Sequence, residues 1–196
     1  MTKIEKWIVL TPGSLETENV TYKANVAGKE FLTQLYRQHI KDYPKFFKMD
    51  TLCRLGFVAG ELLIGNKEIS GDGYSIILFN RSGSVANDMA YQKTIEEESY
   101  FPSPAVFVYT LPNIITGEIA IRRKINAETS FYLLPEPDGV MMEQIVRSSI
   151  TPNTKGVICG WTECYGDNDF KAVLFLLGED SPTEFTAENI TRIINR

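Results

Sequence analysis

Histidine occurs once in this chain, as His39, and cysteine three times, as Cys53, Cys159 and Cys164. One histidine cannot furnish a multi-histidine metal site. His39 sits beside Lys41 and Asp42 on a polar helix face with no serine or cysteine placed as its nucleophile, so it reads as a surface residue and not a catalytic base. An odd number of cysteines without CxxC spacing signals neither a disulfide framework nor a zinc site, and Cys159, within GVICGW, reads as a buried free thiol. No apolar run approaches the length of a membrane span, and the N-terminus has no apolar signal-peptide core. The expected location is therefore the cytoplasm, with no metal or cofactor. Positive charge is also scarce: 20 Lys and Arg face 25 Asp and Glu, for a net charge of −5. With no global positive field, nucleic acid is not expected as a partner.

What is present is a chain of 196 residues with 43% hydrophobic content, enough for one domain with a sizeable core. Ile4–Leu10 reads as a strand closed by the turn Thr11-Pro12-Gly13-Ser14, and residues 14–28 read as a loop. Phe31, Leu32, Leu35, Tyr36 and Ile40 predict an amphipathic helix from Lys29 to about Tyr43-Pro44. A second helix runs from its N-cap Asp50 to Gly65. Tyr74–Phe79 is a continuous apolar run, as in a strand covered on both faces. Ser84–Glu98 reads as a helix with an acidic, solvated end.

After Pro104, the residues Val106, Phe107, Leu111, Ile114, Ile115, Ile119 and Ile121 recur at helical spacing, with a break expected near Pro112. Gly117 is expected to admit a neighbouring backbone, and Arg122, Arg123 and Lys124 sit where a helix C-terminus favours cations. Phe131–Leu134 then forms a short strand stopped by Pro135 and Pro137. A helix over Gly139–Ser149 has one apolar and one polar face, with Glu143 and Arg147 spaced for an i, i+4 ion pair. Two strands, Gly156–Cys164 and Phe170–Leu177, flank the hairpin residues Gly166-Asp167-Asn168-Asp169, and Thr186–Ile194 closes as a helix. The order βαβαβαββ predicts a mixed sheet between helical layers, without repeat or dividing linker.

Candidate sites are few. Glu61, Glu118, Glu136, Asp138 and Glu163 are carboxylates whose pairing the sequence leaves open. Gly71-Asp72-Gly73 precedes a strand and reads as a turn, and Ser82-Gly83-Ser84 lacks the lysine of a phosphate loop. Arg37, Lys41, Lys45, Lys48 and Arg54 form a local positive excess, with Arg122-Arg123-Lys124 another. Tyr43, Phe46 and Phe47 lie within the first as core residues or as an interface anchor.

Ser103-Pro104, Thr110, Asn113, Gly117 and Gly139 resemble, without a gap, the segment before the active-site cysteine of β-ketoacyl-acyl-carrier-protein synthases of the thiolase superfamily. Lys6–Leu10, Met49–Ile64, Gly73–Gly83 and Lys155–Gly178 are similar to further elements of that family's first half. The resemblance implies a thiolase-like half fold over residues 1–196. The family's second half, with its two histidines and a lysine, has no counterpart here. At the cysteine's position stands Glu136, followed by Pro137 and Asp138, so no catalytic nucleophile is expected. A carboxylate there is a weak nucleophile whose acyl adduct is a labile anhydride, and the prolines remove N–H donors from any oxyanion hole.

The resemblance further implies a chain-length-factor-like subunit assisting fatty-acid, polyketide or aryl-polyene-type acyl chain assembly. Its partners would be a ketosynthase or an acyl carrier protein, and it would pair as a homo- or heterodimer through residues 129–134. An acyl pocket is expected beside Phe107, Thr110, Asn113 and Gly117, and carrier-protein docking on Lys41, Lys45, Lys48, Arg122 and Arg123. Two alternatives stand: a thioesterase or malonyl-thioester decarboxylase using Glu136 or Asp138 with a water, and an interaction module without an acyl pocket. Glu136 also admits a plain role, accepting N–H bonds at a helix start.

Overall fold

Alternating apolar residues along the central strands send side chains to both faces of one sheet, and helices cover each face. The computed structural model describes residues 2–196. Its strands are β1 (Lys3–Thr11), β2 (Ser14–Thr17), β3 (Thr21–Lys23), β4 (Tyr74–Asn80), β5 (Thr129–Leu133), β6 (Gly156–Gly166) and β7 (Asp169–Gly178). They form a seven-stranded mixed sheet in the order β3-β2-β1-β7-β6-β4-β5. β4 runs parallel to both β5 and β6, and the remaining pairings are antiparallel. The expected α/β architecture is thus present, with β2 and β3 added where a loop was expected. That segment is short, polar and weakly alternating; pairing with the exposed edge of β1 makes it a strand.

The helices are α1 (Gly28–Leu35), α2 (Thr51–Ile64), α3 (Val85–Gln92), α4 (Pro104–Phe107), α5 (Ile114–Arg123), α6 (Gly139–Ser148) and α7 (Ala187–Ile194). Asp50 is the N-cap of α2, accepting from Cys53 N at 2.8 Å, so the start of that helix falls where its sequence placed it. The helix expected from Lys29 onward changes character at Tyr36, where α1 gives way to a π-helical turn over Tyr36–Ile40. The stretch after Pro104 breaks at Leu111–Asn113, and its two halves are bent by 95°. No single helix is long and apolar enough to cross a membrane among the described residues.

Two apolar clusters fill the space. On one face α1, α2 and α5 pack against Ile8, Leu10, Ile76, Leu78, Leu174 and Leu176. On the other, α6 and α7 pack against Val9, Ile77, Phe79, Val173, Phe175 and Leu177. The even and odd positions of β7 therefore serve opposite layers. Gly117 does not provide the expected close approach, since nothing lies within 4 Å of a Cβ built there. That role falls to Gly56 and Gly60 of α2. Their added Cβ atoms would stand 2.3 Å from Ile115 Cγ2 and 3.0 Å from Ile119 Cδ1 of α5.

Candidate functional site

Because β4, β5 and β6 are parallel, their carboxyl ends open on the same edge of the sheet, where crevices of α/β folds collect ligands. Leu134–Pro137 carries the chain from β5 into α6 at that edge. Leu134 N donates to Asn80 O at 2.9 Å, holding the exit of β5 beside that of β4. Glu136 is exposed in this strand-to-helix corner. The helix is capped not by Glu136 but by Asp138, whose Oδ1 accepts from Val140 N at 2.8 Å and Met141 N at 3.1 Å. A thiolate or oxyanion in the corner would need such N–H groups. Here a carboxylate already holds two of them, and Pro135 and Pro137 have none.

Glu136 borders a cavity of about 330 Å³ whose wall also includes Arg81, Trp161, Glu163, Tyr165 and Lys171. Arg81, Glu163, Tyr165 and Lys171 in this wall are engaged. Glu163, buried, accepts from Arg81 N at 2.9 Å and Ser82 N at 3.2 Å, and the Ser82 hydroxyl bonds it too. It therefore clamps the turn after β4 through three accepted hydrogen bonds. Arg81 lies over the Tyr165 ring and donates to its hydroxyl. Lys171 Nζ donates to Ile194 O at 2.7 Å and Arg196 O at 2.9 Å, closing the end of α7, and burial holds its pKa below the usual lysine value. Of the two carboxylates that border this cavity, Glu136 alone has no hydrogen-bond partner among the described residues.

The three thiols lie elsewhere. Cys53 is in α2, Cys159 and Cys164 are in β6, and all three are buried. Burial pushes the pKa of each up, that of Cys164 to about 12, so none supplies a thiolate near neutral pH. Among the described residues no three His, Cys, Asp or Glu side chains group as a metal site.

Phe107, Thr110, Asn113 and Gly117 lie along the bent segment between α4 and α5. Phe107 is half exposed with its ring 5.4 Å from that of Tyr91. The Thr110 hydroxyl donates to Phe107 O at 2.7 Å, and Gly117 N donates to Asn113 O at 3.2 Å. The four do not border the corner cavity. Large apolar side chains are exposed on this segment at Phe107, Val108 and Leu111, on β5 at Tyr132 and Leu133, and on the first turn of α6 at Val140 and Met141. β5 is also the terminal strand of the sheet, so its outer side carries unpaired backbone groups.

Most of the cations expected to dock a partner are already paired. Arg122 contacts Asp42 at 2.5 Å and buried Glu61 at 3.3 Å, and Arg123 contacts Glu61 at 2.6 Å. Lys45 contacts buried Glu118 at 2.5 Å, and the Tyr43 hydroxyl donates to Glu118 at 2.8 Å. Lys41 and Lys48 have no ion pair among the described residues. Phe46 is core, stacked on Tyr36 at 4.1 Å, whereas Phe47 is half exposed. Spacing signals covered Glu143–Arg147, which pairs at 2.8 Å, but not the reach of Glu143 Oε2 to Ala187 N at 2.7 Å that ties α6 to α7. No local sequence signal marked that contact or the clamp by Glu163.

No protein-family model and no curated protein sequence matches the chain. Solved structures share its fold. One is the complex of a ketosynthase (ApeO) with its chain length factor (ApeC) from Xenorhabdus doucetiae: TM-score 0.65 and 12% identity, covering 100% of this chain and 91% of the matched chain. Another is the ishigamide ketosynthase/chain length factor, with TM-score 0.67 and 15% identity over 94% of this chain. The chain spans 64% of that second structure's matched chain. The fold is therefore the thiolase-like one found in ketosynthase/chain-length-factor structures.

Proposed function

We propose that this chain is a non-condensing, chain-length-factor-like subunit that pairs through β5 with a ketosynthase in fatty-acid, polyketide or aryl-polyene-type acyl chain assembly. The observation that carries the reading is the corner after β5. There the two helix N–H groups that would activate a nucleophile are occupied by Asp138, and residue 136 is a carboxylate. A protein of this fold without a nucleophile is useful chiefly through what it contacts. The unpaired, partly apolar edge strand Thr129–Leu133 offers a partner main-chain hydrogen bonds. Docking of an acyl carrier protein would fall to Lys41 and Lys48, since Lys45, Arg122 and Arg123 are neutralised.

The test is co-expression with a ketosynthase encoded beside it, followed by size-exclusion chromatography and a condensation assay with acyl- and malonyl-carrier substrates. The expected result is a complex whose condensing activity needs the ketosynthase cysteine and not Glu136, and which dissociates in Phe131→Pro. Hydrolysis or decarboxylation by the isolated chain that is lost in Glu136→Ala would overturn the reading in favour of an enzyme. A ketosynthase that condenses equally well without this chain would overturn it in favour of an interaction module.

A further inference from the structure

At the edge of the sheet opposite β5, a cavity of about 510 Å³ lies between β1–β3 and the helices α1 and α2. Buried Ile8 and Leu35 form its floor, and Leu15, Leu62 and Val20 make the rest of its wall largely apolar. That size and lining are those of a small-molecule site. No Asp, Glu, Lys or Arg borders it among the described residues. A charged guest would therefore give up water without meeting a counter-charge, whereas an uncharged one would lose nothing by entering.

The sequence of the helical wall changes character where it meets this cavity. The apolar stripe of α1 runs through Phe31, Leu32 and Leu35, and its continuation falls at positions 38 and 39. Those positions hold Gln38 and His39, on the side of the helix that carries Leu35. The segment is a π-helical turn, closed by Lys41 N donating to Tyr36 O at 3.0 Å. Buried Tyr36 fixes its end: its hydroxyl donates to Lys41 O and accepts from Tyr43 N, both at 2.9 Å. The rim is thus held in place before any guest arrives, and π-helical turns are frequent at functional sites.

Two polar groups of the rim are free. The Thr17 hydroxyl accepts from Asn19 N at 3.3 Å and Val20 N at 3.1 Å. The exposed side chains of Gln38 and His39, by contrast, make no hydrogen bond among the described residues. We propose that this cavity binds an uncharged apolar molecule carrying one hydroxyl or carbonyl group. Its body lies against Ile8, Leu15, Leu35 and Leu62, and its polar end bonds Gln38 and His39 at the mouth. The site is separate from the corner and from β5, and does not rest on the pairing proposed above.

Titration of the intact, nitrogen-15-labelled chain with octan-1-ol, octanoate and octylamine, followed in amide spectra, tests it. Octanol is expected to saturate one site per chain at least about tenfold more tightly than either charged analogue, with shifts centred on residues 15–22 and 35–39. Val20 is 54% exposed, so Val20→Trp should fold normally while filling the cavity, and should weaken octanol at least about tenfold. Gln38→Lys places an ammonium group at the mouth and should narrow the preference for octanol over octanoate at least about threefold. Absence of saturable octanol binding, equal affinity for a charged analogue, shifts centred elsewhere, or wild-type octanol affinity in folded Val20→Trp would overturn the proposal. Self-association that Val20→Trp abolishes and octanol leaves untouched would overturn it in favour of a second copy of the chain.

Discussion

The two faces of the sheet are built differently. On the α2 face, Gly56 and Gly60 let α5 settle directly onto α2, and the acids there, Glu61 and Glu118, are buried against Arg122, Arg123 and Lys45. Along the seam between α2 and α5 that face is closely packed, and the charges of the seam are used internally. On the α6 face the cluster is smaller, and α6 buries only Gly139, Met142 and Val146, leaving Val140 and Met141 exposed beside the corner that holds Glu136. A close-packed face tolerates no added atoms, whereas a half-covered one has room for change and for contact with another molecule.

The contrast is sharpest in Glu61. Glu61→Ala removes the buried carboxylate that Arg122 and Arg123 share, leaving Arg122 with Asp42 and Arg123 with two backbone carbonyls, and should cost about 2–3 kcal/mol in urea unfolding. Gly56→Ala puts a methyl into Ile115 and should cost about 1–3 kcal/mol. If either change proves neutral, the seam between α2 and α5 is not closely packed in the sense argued.

Asp50 gives a pH-dependent test on the same face. Burial is the main cause raising its pKa to about 6 from 3.8, against the pull of Cys53 N and of Lys29 and Arg54. Because the folded value lies above the unfolded one, the native state holds more protons between pH 4 and 6, and this residue's contribution to stability falls as pH rises through that window. Asp50→Asn keeps an N-cap acceptor. Since Asp50 is only partly buried, the variant should gain about 1–2 kcal/mol at pH 7 and show a flatter melting-temperature profile from pH 4 to 6.

The α6 face should respond more weakly and differently. Asp138→Ala removes the cap of α6 and should cost about 1 kcal/mol. In Glu136→Cys, the Asp138 carboxylate should keep the new thiol at or above the ordinary value of about 8.5 in iodoacetamide rate profiles, with the double variant Glu136→Cys/Asp138→Gly lower. A thiol already depressed in the single variant would show that Asp138 does not disable the corner. Val140→Ser should change stability by no more than about 0.5 kcal/mol while weakening the proposed complex with a ketosynthase.

Much of the fold was readable from local pattern. Asp50 as an N-cap, the break near Pro112, the doubly covered run Tyr74–Phe79 and the hairpin at Gly166–Asp169 depend on neighbours in sequence, and each is found in place. β2 and β3 were not readable, because their pairing is supplied by β1 and not by their own weak alternation. The corner was legible in position but not in wiring. Glu136 and Asp138 lie two residues apart, and only backbone geometry decides which carboxylate reaches the helix N–H groups.

The amino-acid order by itself determined most of the strands and helices, β2 and β3 excepted, and the lack of a thiol at the turn after β5, since propensity, periodicity and residue identity act over a few positions. The tertiary structure alone decided that Gly56 and Gly60, not Gly117, admit a neighbouring helix, that Arg122, Arg123 and Lys45 serve buried acids, and that Glu163 is locked to the exit of β4. Those contacts join residues some 60 to 80 positions apart, as with Arg123–Glu61 and Arg81–Glu163. They form only once the sheet has brought its strands together, and no local pattern encodes which distant partner a side chain will meet.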